Sequence, residues 1–104
     1  MIRYEVTLQV EPALAQTVEN HMRSRHIPQI FATGCFRQVR FDHASPARFR
    51  TSYQADSQAD LDRYLRDHAP RFRAELQREF PRGLTVTREV WTQQEVWGER
   101  DEPA

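Results

Sequence analysis

Ile2, Tyr4, Val6, Leu8 and Val10 alternate with Arg3, Glu5, Thr7 and Gln9 without a break. Successive side chains of an extended chain point to opposite faces, so this run predicts a strand with one buried and one polar face. Two later stretches repeat the pattern. From Phe49 to Ala55, Phe49, Thr51, Tyr53 and Ala55 oppose Arg50, Ser52 and Gln54, and Leu84 to Trp91 alternates again. Ile30 to Asp42 reads as a further strand of lower regularity: Phe31, Thr33, Cys35, Val39 and Phe41 share one parity, and Phe36 has the other. Gly34 within it suggests a bulge, which leaves open whether Cys35 or Phe36 faces the core.

Two helical patterns separate these strands. Glu11-Pro12 opens the first, with proline tolerated in the first turn, and Leu14, Val18 and Met22 form its narrow apolar stripe. The basic run Arg23, Arg25, His26 suits a helix C-terminus, and Pro28 is expected to forbid continuation and to push Ile27 into extended geometry. Ser57 with Asp60 predicts a capped start for the second helix. Leu61, Leu65, Ala69, Phe72, Leu76 and Phe80 follow as one stripe. Pro70 lies inside that stripe and lacks the N–H that a continuous helix needs, so a break is expected there.

The order β-α-β-β-α-β folds most simply, with right-handed crossovers, as an α+β ferredoxin-like sandwich: four antiparallel strands, the first and third central, with two helices on one face. The 104 residues suit one domain, assigned to residues 1–97, with 98–104 read as a flexible C-terminal tail. The other sheet face would carry Arg3, Glu5, Thr7, Gln9, Arg50, Ser52 and Glu89 with Trp91. That is too polar for a second apolar layer. It suits water or the interior of a homodimer, and the uncovered Val96 and Trp97 near the edge strand favour a partner subunit.

Composition narrows the function classes. The formal net charge is zero, so no global field draws the chain to nucleic acid or to an anionic membrane. All basic residues are Arg, a pattern that a GC-rich genome explains. The single Cys excludes an internal disulfide and fits a reducing compartment. No stretch reads as a leader or as a membrane span, and a cytoplasmic protein is expected.

The segment His26 to Phe36 joins the first helix to the second strand and holds the chain's best candidates for chemistry. Together with Tyr-Glu-Val-Thr at 4–7, Tyr-Gln at 53–54, Leu61, Tyr64 and Ala-Pro at 69–70, its His-Ile-Pro (26–28) and Ala-Thr-Gly-Cys-Phe (32–36) motifs resemble a family of small bacterial proteins of unknown function. The resemblance spans about residues 2 to 91. The chain departs from the pattern in the polar Arg-Thr-Ser before Tyr53 and in its longer tail. By fold, such a family is similar to the dimeric α+β barrels, which include cofactor-free monooxygenases, haem-degrading enzymes, stress-response proteins and amino-acid-sensing regulators. The resemblance thus implies a fold and a homodimer, and no single activity.

Each candidate residue has a structural and a chemical reading. His26 could cap the end of the first helix, which is preferred, or act as a general base. Cys35 is by default a small buried hydrophobe, since a reactive thiolate needs a cation, a metal or a helix N-terminus. Tyr4, Tyr53 and Tyr64 fall at core positions, and Tyr53 could meet His26 or Thr33 in a small polar pocket. Thr33, Arg40 and Arg50 are candidates for holding a ligand. No pair of His or Asp has metal-ligand spacing, and neither metal nor cofactor is expected.

Two main readings follow. The first is a non-catalytic homodimeric α+β barrel that binds a small ligand or a protein partner. The alternative is a cofactor-independent enzyme of the monooxygenase or isomerase type, with His26 as base, Tyr53 and Thr33 as hydrogen-bond donors, and Arg40 or Arg50 holding an anionic substrate. An RNA-binding module is disfavoured by the missing aromatic platform on the first strand. An enclosed cavity with converging polar groups would favour the enzyme, and a filled core the binding domain.

Overall fold

The computed structural model describes residues 1–98, so most of the expected 98–104 tail lies outside the described residues. The chain runs β1 (Ile2–Val10), α1 (Ala15–His21), a π-helical turn (Met22–His26), α2 (Ile27–Phe31), β2 (Gln38–Ser45), β3 (Arg48–Ala55), α3 (Gln58–Asp67), α4 (Ala69–Glu79) and β4 (Leu84–Thr92). The sheet order is β2-β3-β1-β4 and every pairing is antiparallel. This is the expected ferredoxin-like α+β arrangement, with β1 and β3 central.

Strand alternation sets the two faces. Along β1, Ile2, Tyr4, Val6, Leu8 and Val10 are all buried. The register places Tyr4 opposite Tyr53, Val6 opposite Thr51 and Leu8 opposite Phe49, so β1 and β3 present one apolar face to the helices. Burying a side chain of this size contributes about 1.5–3 kcal/mol. The helices answer with Val18, Met22 and Ile30 on one side and Leu61, Phe72 and Leu76 on the other, all buried.

The expected break at Pro70 is present. His68 leaves helical geometry at φ −126° between α3 and α4, and Pro70 then sits in the first turn of α4, where no backbone donor is required. The start of α3 is also as expected: Ser57 Oγ accepts the Asp60 N–H at 3.2 Å and donates to Asp60 Oδ2 at 3.0 Å.

The junction between the first helix and the second strand differs from the sequence expectation. The helical run does not stop before Pro28, the segment 30–37 is not a strand, and His26 caps no helix end. Instead, the Ile27 N–H reaches back five residues to the Met22 carbonyl, forming the π turn. The wider turn restarts the helix so that Pro28 occupies the first turn of α2, where its missing N–H costs nothing. The run ends at Gly34, with φ 76°, and Cys35 and Phe36 follow in a turn that buries both. The choice between them as core residue therefore does not arise. The second strand begins at Gln38 and extends to Ser45, beyond the expected Asp42.

Two glycines test this backbone. A Cβ on Gly34 would meet nothing within 4 Å, whereas one on Gly83 (φ +81°) would lie 2.7 Å from Leu14 Cδ1 and 3.1 Å from Glu11 Oε2. Gly34→Ala is expected to cost about 1–2 kcal/mol from left-handed geometry alone. Gly83→Ala should cost only slightly more, because the atoms its Cβ meets are the movable ends of the Leu14 and Glu11 side chains. Urea unfolding of both variants checks this; a Gly83→Ala cost more than twice that of Gly34→Ala would show that Leu14 cannot give way.

Candidate functional site

Tyr4 and Tyr53 stand side by side on the helix face of β1 and β3, with ring centroids 6.0 Å apart. Tyr64 of α3 completes the cluster, 6.0 Å from Tyr4, and Phe36 packs on Tyr53 and Tyr64 at 5.1 and 4.8 Å. His26 enters from the π turn, with its ring edge-on to Phe72 of α4 at 6.0 Å. Arg73 of α4 donates to the Tyr4 hydroxyl at 3.0 Å. Between these groups lies a cavity of about 20 Å³, bordered by His26, the three tyrosines, Arg73 and Arg88. That volume has room for about one water molecule. His26 also borders a second, outward crevice of about 120 Å³ with His21, Arg25, Glu75 and Glu79, so one residue borders both spaces.

Burial dominates the electrostatics. Desolvation, then the neighbouring charges of His21 and Arg88, lower the His26 pKa from 6.5 to about 4. The imidazole is therefore neutral at neutral pH and a weak base. Burial, followed by the proximity of Tyr64, raises the Tyr53 phenol above its ordinary value. Tyr64 is raised by burial and then by Tyr4. The cavity thus holds a neutral imidazole, and the phenols of Tyr53 and Tyr64 held protonated by burial, beside two guanidiniums.

His26 and Tyr53 border the same cavity, although His26 reaches it from inside a continuous helical run rather than from the start of a strand. The other candidates lie elsewhere. The Thr33 hydroxyl donates to the Ile30 carbonyl at 2.7 Å and accepts the Cys35 N–H at 3.4 Å, serving the end of α2. Cys35 is buried, with Sγ 4.0 Å from the Thr33 carbonyl oxygen. Arg40 and Arg50 belong to the opposite sheet face, where Arg40 stands across from Ser52 and Arg50 approaches Glu5 at 3.8 Å. The base, donors and anion holders of the enzyme reading are thus not brought to one place.

Sequence reasoning missed Arg73 and Arg88. A signal for Arg88 was present: it shares the parity of Leu84, Val86 and Val90, so it is a charge at a core position of an alternating strand. Arg73 follows Phe72 directly, and only the packing of α4 on β1 shows that it reaches Tyr4.

A four-stranded antiparallel sheet with helices on one face and a nearly filled interior defines a small ferredoxin-like α+β domain. The chain belongs to the family described as "Domain of unknown function (DUF4286)", which matches residues 1–94. Among solved structures, it resembles an ethyl tert-butyl ether d (ethd) family protein of Bacillus halodurans, with TM-score 0.68 at 15% identity over 90% of this chain and 100% of that one. It also resembles a candidate antibiotic biosynthesis monooxygenase of Deinococcus radiodurans, with TM-score 0.65 at 14% identity over 96% of this chain and 99% of that one. A conserved protein of Methanosarcina mazei gives TM-score 0.66 at 17% identity, covering 89% of this chain and 92% of that one. At such identities these likenesses establish the fold alone. No curated protein matches the sequence. No helix among the described residues is long and apolar enough to cross a membrane.

Proposed function

We propose that this protein is a non-catalytic, homodimeric α+β barrel that binds a small ligand, with two sheets facing each other across their polar faces. The observation that carries the non-catalytic part is the size of the space where His26, Tyr53 and Tyr64 converge. At about 20 Å³ it admits water and excludes an organic substrate. A histidine held at about 4 also lies far from the pKa at which a general base works best near neutral pH.

The open face supports pairing. At its centre the Glu5 side chain is only 18% exposed. It accepts a hydrogen bond from Ser52 Oγ at 2.8 Å and lies 3.8 Å from Arg50 and 4.0 Å from Arg3. At the edge of the same face Trp91, opposite Arg3, is 52% exposed, and beyond it Val96 and Trp97 are exposed too. Edge strands with uncovered apolar tips are normally protected, and a two-fold partner would cover these groups while matching Arg with Glu across the axis.

Light scattering at micromolar concentration is expected to give twice the 12.4 kDa chain mass, with more than about 1,000 Å² buried in total. Trp91→Asp should weaken the dimer about a thousandfold, because two-fold symmetry removes two aromatic anchors, each worth about 2 kcal/mol. A monomer mass for the unaltered protein would overturn the pairing.

A further inference from the structure

We propose that the groove between α4 and β4 binds a small organic carboxylate with an apolar tail. This rests on the binding-domain reading above and names the ligand class; it does not require the dimer. The groove encloses about 300 Å³, the lower end of the range for small-molecule sites. Its layout follows from the chain path. The short turn after Phe80 joins α4 to β4, so helix and strand run in opposite directions. Phe80 and Leu84 lie beside the turn, Leu76 and Val86 follow, and Arg73 and Arg88 stand furthest from it. The groove therefore has half-buried Leu84 and Val86 with Gln77 along its length and two arginines at one end.

That end is not neutralised internally. Among the described residues neither Arg73 nor Arg88 has a carboxylate partner, and Arg73 donates to the Tyr4 hydroxyl. Arg88 occupies a core-parity position opposite Val6 and is exposed, as is Arg73, so both guanidiniums are open to a ligand. Both guanidiniums also border the tyrosine cavity, which holds no carboxylate. Guanidinium forks match a planar carboxylate, and the neighbouring leucine, valine and phenylalanine side chains suit an aromatic or branched tail. The groove lies on the helix side of the sheet, so pairing of the open faces leaves it accessible.

The test uses the full-length protein, isotope-labelled, titrated with phenylacetate and followed by NMR. Saturable shifts are expected at the Val86–Arg88 amides and the Arg73 side chain, with the neutral isostere phenylacetamide binding about tenfold more weakly. Arg73→Gln and Arg88→Gln should each weaken phenylacetate about tenfold, with Arg88→Lys recovering part of the loss. The amide comparison needs no variant, so it stands even if a substitution perturbs folding. Equal affinity for amide and carboxylate, inorganic phosphate binding as tightly as phenylacetate, or shifts centred instead on Arg48 and Arg50 would each overturn the proposal. The mass of the same samples separates the two readings: a monomer that discriminates carboxylate from amide defeats only the homodimer, and a dimer that does not discriminate defeats only the groove.

Discussion

Phe49→Ala is expected to cost about 3–5 kcal/mol. Phe49 lies on the central strand β3, opposite Leu8 of β1, and both are essentially inaccessible to solvent. Its ring stacks on Phe41 of β2 with centroids 5.4 Å apart and planes 14° from parallel. Truncation removes the packing surface that links three strands. Because Leu8 and Phe41 are held by ladder hydrogen bonds, the backbone cannot collapse into the space, which keeps the cost near the upper part of the range for such truncations. Domains of this kind are stable by about 5–15 kcal/mol, so the variant should sit close to unfolding. Urea denaturation should show a lower midpoint with an unchanged slope. A loss below about 1 kcal/mol would mean that Phe49 is not a keystone of the sheet's helix face.

The second large effect is a dependence on pH carried by one buried imidazole. An unfolded histidine titrates at 6.5, and His26 in the fold titrates at about 4. Below pH 6.5 the unfolded chain takes up a proton that the folded chain refuses. The stabilisation is therefore complete above pH 6.5 and is lost as pH falls towards 4, at up to about 1.4 kcal/mol per pH unit, or about 3 kcal/mol in all. The groups facing His26 are His21 on its own helical run, Phe72 on α4 and Arg88 on β4, with Glu75 and Glu79 across the outer crevice. His26→Gln removes the titration while keeping a polar side chain. Between pH 7 and pH 4.5 the unaltered protein should lose about 2–3 kcal/mol more than this variant. Carboxylate titrations common to both cancel in that difference, and parallel profiles would place His26 in a solvated, unshifted environment.

Much of the fold was legible in the chain. The β1 alternation identified both faces of the sheet because side-chain direction in a strand is local. The break at Pro70 was legible because a missing donor is a property of one residue. The burial of Tyr4 and Tyr53 followed from the same parity, and Tyr64 is buried three residues after Leu61 on one helix face. The junction at His26 to Phe36 was not legible. Proline and glycine there suit a strand with a bulge as well as a helix restarted by a π turn, and local preferences do not separate the two. The bonds that decide are the five-residue reach of Ile27 to Met22 and the burial of Ile30 against the sheet.

The candidate site divides in the same way. By itself the sequence determined the order of elements, the parity of every strand except the second, and the types of polar group available, because each of these depends on residues close along the chain. Only the tertiary structure decided that His26 reaches the cavity beside Tyr53 from inside a continuous helical run, that Arg40 and Arg50 lie on the far side of the sheet from both, that Arg73 reaches Tyr4 from 69 residues away, and that the space left between them is the size of a water molecule. Those outcomes come from how whole elements pack, where side chains distant in sequence compete for one volume and one dielectric environment, and no periodicity along the chain encodes the result.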